Sequence, residues 1–291
     1  MAESRAFEAL RTGRAYVDLA SWKKISVTGS DAFAWLNDLV SADLTGLRRG
    51  QSRRSLLLSP TGQVRADFTM LEFRDAFLLL QDPSQPHGID ALLERYILSS
   101  DVALEDRTAE FALFALPNRS QPPDLAGADF FTPSCLGDGV DALVPMDRQG
   151  EVATTLAESL LRAEMDDVEA WRIFRGIPRF GVDVTEDDLP QEGALEEAVS
   201  FTKGCYVGQE AVAKVRNLGH PRRLLLHVEA SGQVAHGEPV CVDGTEVGRV
   251  TSSVETSTGS RALAKVRWAA KDRPITTAGG AGLVPVARGR G

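Results

Sequence analysis

The stretch Phe201-Thr202-Lys203-Gly204-Cys205-Tyr206-Val207-Gly208-Gln209-Glu210 sets a cysteine between two glycines and two residues after a lysine. Glycine tolerates positive φ and lets other atoms come close to the main chain, so this backbone suits a thiol brought near a second group. The Lys203 ammonium and the backbone N–H groups opening a following helix would both favour thiolate over thiol. From its neighbours alone Cys205 reads as a ligand, a nucleophile, a redox sensor or a small buried side chain in a turn, since free cysteine is among the most buried residue types. Residues 209–217 then read as a helix closed by Gly219.

Working upstream, Ser59-Pro60-Thr61-Gly62 supplies turn chemistry between two extended runs and predicts a hairpin over 50–70. In its second strand Val64, Ala66, Phe68 and Met70 alternate with Gln63, Arg65, Asp67 and Thr69, which makes one face core and the other polar, with Asp67 on the polar face. Before the hairpin, 15–19 and 24–28 read as strands. Ser30 then caps a helix that buries Phe33, Leu36, Leu39 and Val40, with Trp35 partly buried. After it come a strand at 77–80, a helix over 89–98 and strands near 102–104 and 111–116.

Residues 117–133, with Pro122-Pro123, read as a loop. Helical spacing returns at Val152, Leu156, Leu160 and Leu161, and again over 166–175, where Gly176 and Pro178 stop it. From 222 onward the composition changes to short strands with Gly-containing turns such as Asp243-Gly244, a small all-β barrel or sandwich. Strands and helices mix without regular βαβ repetition, so the expected class is α+β with antiparallel pairing.

The totals narrow the function. Across 291 residues, 43% are hydrophobic, enough for about two domains with proper cores. The net charge of −9 argues against a broad electrostatic grip on nucleic acid. Cys135, Cys205 and Cys241 are widely separated, without metal-ligand spacing, so neither a disulfide framework nor a protein-only metal site is expected and a reducing, cytoplasmic home is. The N-terminal residues lack a basic region followed by an apolar run, and no segment reaches the roughly 18 apolar residues of a membrane span. His87, His220, His227 and His236 show no ligand pattern, and only His220, just after the motif helix, is placed to approach Cys205.

Lys203-Gly204-Cys205-Tyr206-Val207-Gly208-Gln209-Glu210 resembles the hallmark of the YgfZ family, folate-binding proteins linked to iron–sulfur enzyme maintenance and related to the glycine cleavage T-protein, an aminomethyltransferase. That relative typically has an acidic residue where this chain has Cys205. The resemblance extends to the hairpin from Ser59 through Asp67 and to Gly237-Glu238-Pro239-Val240 with the run from Val247 to Ser253, in the same order. It implies a ring-like arrangement of α+β folate-binding modules with a small C-terminal β-barrel. Residues 1–221 would form the folate-binding region, open to division into two modules near 117–133, and 222–291 the barrel.

The resemblance also implies a chemistry. It implies tetrahydrofolate or a related folate as cofactor, iron–sulfur enzymes or their assembly proteins as partners, and an indirect effect on tRNA modification. Asp67 occupies the place of the aspartate that assists one-carbon transfer, a role that requires hydrogen-bond reach of the amine. Folate's pterin edge suits a carboxylate, its faces suit aromatic rings and its glutamate tail suits Arg or Lys. Trp171, Phe174 and Tyr206 are candidates for the faces, and Lys214, Arg216, Arg222 and Arg223 for the tail. Arg172-Ile173-Phe174-Arg175-Gly176 carries Phe174 where the superfamily commonly has Glu, so the pterin edge must find Glu169, Glu192 or Glu210 or lose about 1–3 kcal/mol per unpaired group. The expected function is an accessory folate-binding protein with Cys205 as its reactive centre. The alternatives are a folate-dependent transferase using Asp67 and a non-catalytic ligand-binding adaptor.

Overall fold

The alternation along the second hairpin strand gives it two distinct faces, and the fold is built outward from both. The computed structural model describes residues 4–287. In chain order it runs through α1 (Arg5–Arg11), β1 (Ala15–Asp18), β2 (Lys23–Thr28), α2 (Ala32–Leu39), β3 (Ser52–Leu58), β4 (Val64–Phe73), β5 (Ala76–Gln81), α3 (Ile89–Glu94), β6 (Ala103–Asp106) and β7 (Phe111–Pro117). It continues with β8 (Phe130–Pro133), β9 (Gly139–Pro145), α4 (Gln149–Ala157), β10 (Leu161–Ala163), α5 (Met165–Arg175) and α6 (Gln209–Leu218). The last strands are β11 (Arg223–Ala230), β12 (Pro239–Val242), β13 (Thr245–Thr256), β14 (Gly259–Arg267), β15 (Ile275–Thr277) and β16 (Gly282–Pro285).

Strands β3-β4-β5-β2-β6 form an antiparallel sheet, and β10-β1-β7-β9-β8 form a second sheet in which only the β1–β10 pair is parallel. Strands β11-β14-β13-β12-β15-β16 close into a barrel. This is the expected α+β class with an all-β C-terminal barrel, and closure removes the exposed edges that a sandwich would leave. The hairpin sheet packs Ala66, Phe68 and Met70 against α2 and α3. Its other face carries Leu71, Phe73, Leu78 and Leu80 into a core shared with Val17, Leu113, Leu143 and Trp171 of the second sheet and α5. Helix α4 covers the far side of the second sheet through Val152 and Leu156.

Several local readings change. Asp67 and Thr69 are buried, so the polar face of β4 turns inward rather than to water. Asp31, not Ser30, occupies the N-cap of α2, and the Ser30 hydroxyl donates to Asp101 instead. Phe33 is exposed while Trp35 is buried with its indole N–H on the Tyr96 carbonyl. Helix α3 stops at Glu94, and Leu98 is left exposed. The loop over 117–133 ends in β8, and β9 has no counterpart in the helix and strand periodicity read from the sequence. Leu161, grouped with the α4 stripe, belongs to β10, where pairing with Ala15 captures it.

The barrel is fastened to α5 by buried charge. Arg172 Nη1 donates to Asp183 Oδ2 at 2.6 Å and to the Ile177 carbonyl at 3.1 Å, while its Nη2 donates to Ser252 Oγ at 3.0 Å. The hydroxyls of Thr251 and Ser252 both donate to Asp183 Oδ1, at 2.5 and 2.7 Å. Neighbouring strand residues ordinarily face opposite ways, but the β13–β14 register shifts between Val250 and Ser252, and this bulge brings both hydroxyls to one carboxylate. A second tie joins Asp188 to Lys265 and to Arg223, which it meets at 3.0 Å. Elsewhere Asp141, fully buried on β9 opposite Thr132, accepts the Cys135 N–H at 2.7 Å. Burial pushes its carboxyl up to about 6, against the lowering effect of hydrogen bonds from Ser134 and Cys135.

Removing one partner of a buried pair strands the other charge. Asp183→Ala is therefore expected to lower stability by about 3–5 kcal/mol in urea unfolding, and the double variant Arg172→Met/Asp183→Ala to cost clearly less than the sum of the single changes. Asp141 holds its proton more tightly folded than unfolded, so its contribution is present in acid and is lost as pH rises through about 6. Melting curves of Asp141→Asn should thus move in the variant's favour, relative to the parent, between about pH 4 and about pH 7.

Candidate ligand cavity and the cysteine loop

Between the two sheets and α5 lies a cavity of about 570 Å³. Its wall is built from β3 and β4, the 133–137 turn, the cavity-facing side of α5 and the segments at 177–180 and 197–200. No barrel residue lines it among the described residues. The burial of Asp67 and Thr69 is explained by this position, since the polar face of β4 forms part of the wall.

Asp67 is clamped there. Arg54 Nε and Nη2 donate to its two carboxylate oxygens at 2.9 and 2.5 Å. Burial opposes the Arg54 charge, but Asp67, with Glu197 further away, outweighs this and holds the guanidinium above its ordinary value. Also in the wall, Glu169 Oε2 accepts Arg172 Nε at 2.7 Å and lies 3.1 Å from Arg179 Nη1, while its Oε1 accepts Arg172 Nη2 at 2.5 Å. Trp171 is among the lining residues, but it is almost fully buried, with the Arg175 guanidinium over its ring at 5.8 Å and its indole nitrogen buried without a hydrogen-bond partner. Phe174 is not in the wall: its ring packs edge-on to Phe7 and under the Arg11 and Arg261 guanidiniums. Of the three glutamates expected to replace a carboxylate at position 174, Glu169 is the one that reaches the cavity.

The cysteine motif serves a neighbouring purpose. Lys203 Nζ donates to the carbonyls of Asn37, Val40 and Ala42 at 2.6, 2.5 and 2.8 Å, so its three protons satisfy the end of α2. Burial lowers its ammonium to about 8, partly offset by Asp43 and Asp38. This ammonium, read from the sequence as an activator of the thiol, is instead committed to backbone. Tyr206 is buried in the cluster with Leu56, Leu58 and Val212, and burial raises its hydroxyl above the ordinary value. Gly208 has φ of +82°, and a Cβ there would come within 2.5 Å of the Ser59 carbonyl oxygen, with Gly62 as a further neighbour. The hairpin turn and the cysteine motif, recognised separately in the sequence, thus pack against each other.

These anchors leave Cys205 exposed and outside the cavity wall. Gly204 has open space around it, Gln209 begins α6 and Glu210 is exposed. Tyr206, Glu192, Arg216 and Arg222 also lie outside the wall. Glu192 is buried and accepts the backbone N–H groups of Leu189 and Arg223, Arg216 stacks over Phe201 at 3.9 Å, and Arg222 is exposed. His220 stacks on Trp268 at 4.9 Å rather than serving the cysteine loop. Asp67, Glu169 and Trp171 are the sequence-read candidates that the cavity brings together. Arg54 and Arg179 were not singled out, although counting back from the Ser59–Gly62 turn places Arg54 on the face of β3 that Asp67 occupies on β4.

Residues 2–117 match the GCVT N-terminal domain family. Over 284 residues the chain is 27% identical to a putative chloroplastic transferase of Arabidopsis thaliana, a match that covers 89% of this chain and 66% of the plant protein, slightly under two thirds of its length. It is 27% identical to an aminomethyltransferase of Rubrobacter xylanophilus, across 88% of this chain and 76% of that protein. The solved structure of glycine cleavage system aminomethyltransferase T from Bartonella henselae superposes with a TM-score of 0.82 at 21% identity, covering 97% of this chain and 88% of that one. The N-terminal family match, the aminomethyltransferase relatives and the shared fold together support the aminomethyltransferase superfamily, and the chain has the fold of aminomethyltransferase T.

Proposed function

We propose that the cavity binds a folate-like ligand and that the chain is an accessory protein supporting assembly or repair of iron–sulfur enzymes, with Cys205 as its exposed thiol. The observation that carries the ligand reading is the cavity itself, about 570 Å³, with the Glu169 carboxylate in its wall. A pterin needs an acceptor for its amino and ring N–H groups, and Glu169 Oε1, which receives Arg172 Nη2 alone, keeps a lone pair for one. Its buried arginine network holds that carboxylate in place before any ligand arrives. The accessory role is supported by the motif around Cys205, whose Lys203, Tyr206 and Gly208 anchor the loop and leave the thiol in solvent.

A second reading, folate-dependent aminomethyl transfer, is favoured by the place of Asp67 in the same wall. Turnover of an aminomethyl donor that disappears in Asp67→Asn would establish it.

Calorimetric titration with tetrahydrofolate should show binding that Glu169→Gln weakens by about tenfold or more, as expected for a hydrogen bond to a charged group. Phe174→Glu should change it by less than about threefold, because that ring faces Phe7 and not the cavity. Absence of binding in the parent chain would remove the folate reading. Cys205→Ser should leave both tetrahydrofolate affinity and melting temperature unchanged, yet lower iron–sulfur enzyme activity in cells dependent on this chain. Full activity in those cells would refute the role given to the thiol.

A further inference from the structure

Arg54 and Asp67 share one face of the hairpin, since Asp67 pairs with Leu56 in register and Arg54 lies two residues from Leu56. The guanidinium meets the carboxylate fork to fork, with Nε on Oδ1 and Nη2 on Oδ2. Asp67 is held in this clamp from behind. Its N–H donates to Gln85 Oε1 at 3.1 Å and its carbonyl accepts Gln85 Nε2 at 2.6 Å. Gln81 in turn donates to Gln85 Oε1 at 3.0 Å and accepts the Ile89 N–H at 2.8 Å.

Arg54 is left with one less engaged group. Its Nη1 stands 3.8 Å from Glu197 Oε1, beyond hydrogen-bond distance, and the Glu197 side chain is half exposed. The adjacent Arg53 is different, because its terminal nitrogens go to the carbonyls of Asp43 and Thr45. A group entering this corner therefore meets the positive charge and free N–H groups of Arg54, beside an Asp67 whose charge that guanidinium already balances.

We propose that Arg54 is the specificity-determining residue of the cavity: by engaging both oxygens of Asp67 it makes that corner a receptor for a hydrogen-bond acceptor, a carbonyl or carboxylate, in place of a basic amine. The inference rests on the folate-like reading of the cavity and refines it. At N5 a formyl-bearing folate presents a carbonyl, whereas unsubstituted tetrahydrofolate presents an amine there, and like charge at Arg54 disfavours any amine that becomes cationic. The same contact withdraws Asp67 from the proton-accepting role that aminomethyl transfer would ask of it.

Calorimetric titration with 5-formyltetrahydrofolate and with tetrahydrofolate tests this directly. The parent chain should bind the formyl compound about tenfold or more tightly than the unsubstituted one. Asp67→Asn, which keeps the guanidinium, should retain that preference. Arg54→Met should lose it, and because it strands the Asp67 charge, Arg54→Met/Asp67→Asn is measured beside it, with melting curves to establish that each variant is folded. Equal affinity for the two compounds in the parent, or an unchanged preference in a folded variant lacking Arg54, would overturn the inference while leaving folate binding in place. Failure of the parent to bind either compound would overturn both readings.

Discussion

The contact on which the architecture most depends is the buried pair between Arg172 and Asp183. Asp183 is fully inaccessible and Arg172 nearly so, and a charge in that position is tolerable only when every oxygen and N–H finds a partner. The partners come from three parts of the chain: Glu169 on the same helix, the Ile177 carbonyl just beyond it, and the paired hydroxyls of Thr251 and Ser252 on a barrel strand. Because Glu169 also belongs to the cavity wall, the arginine that fastens the barrel also orients the carboxylate offered to a ligand. Among the described residues the barrel contributes to the site through this link without lining the cavity.

A second joint, made of backbone, joins the hairpin to the cysteine loop. Gly208 reaches the Ser59 carbonyl more closely than any side chain would permit, and Gly62 stands in turn against Ala211 and Leu189. Lys203 adds a charged clasp on the last carbonyls of α2, and Ser41 ties the same region to the cavity wall through the Ala198 carbonyl at 2.6 Å. The distribution of roles along the motif follows from this: the residues flanking Cys205 are structural anchors, and Cys205 is the group they leave accessible.

The Arg54–Asp67 contact separates a residue's place in the fold from its freedom to react. The bidentate guanidinium balances the charge of Asp67, which a proton-accepting role would need free. Position in the fold and availability for chemistry are thus separate properties of the same residue.

Periodicity along the chain was enough to establish the hairpin, α2, α5, α6, the change to an all-β composition after 222 and the inward stripe of β4, because these depend on neighbours within one turn or one strand. The cysteine motif and the hairpin turn were also legible, since glycines at tight approaches leave a residue-type signal. Tertiary structure decided the rest. It turned the polar face of β4 from solvent to a cavity, placed Phe174 away from that cavity and Glu169 in it, and drew Lys203 from the thiol to the end of α2. It also made a strand of 139–145, whose hydrogen bonds go to β7 and β8. Each of these depends on a partner distant in sequence, and local pattern carries no information about which distant polar group a charged side chain will meet.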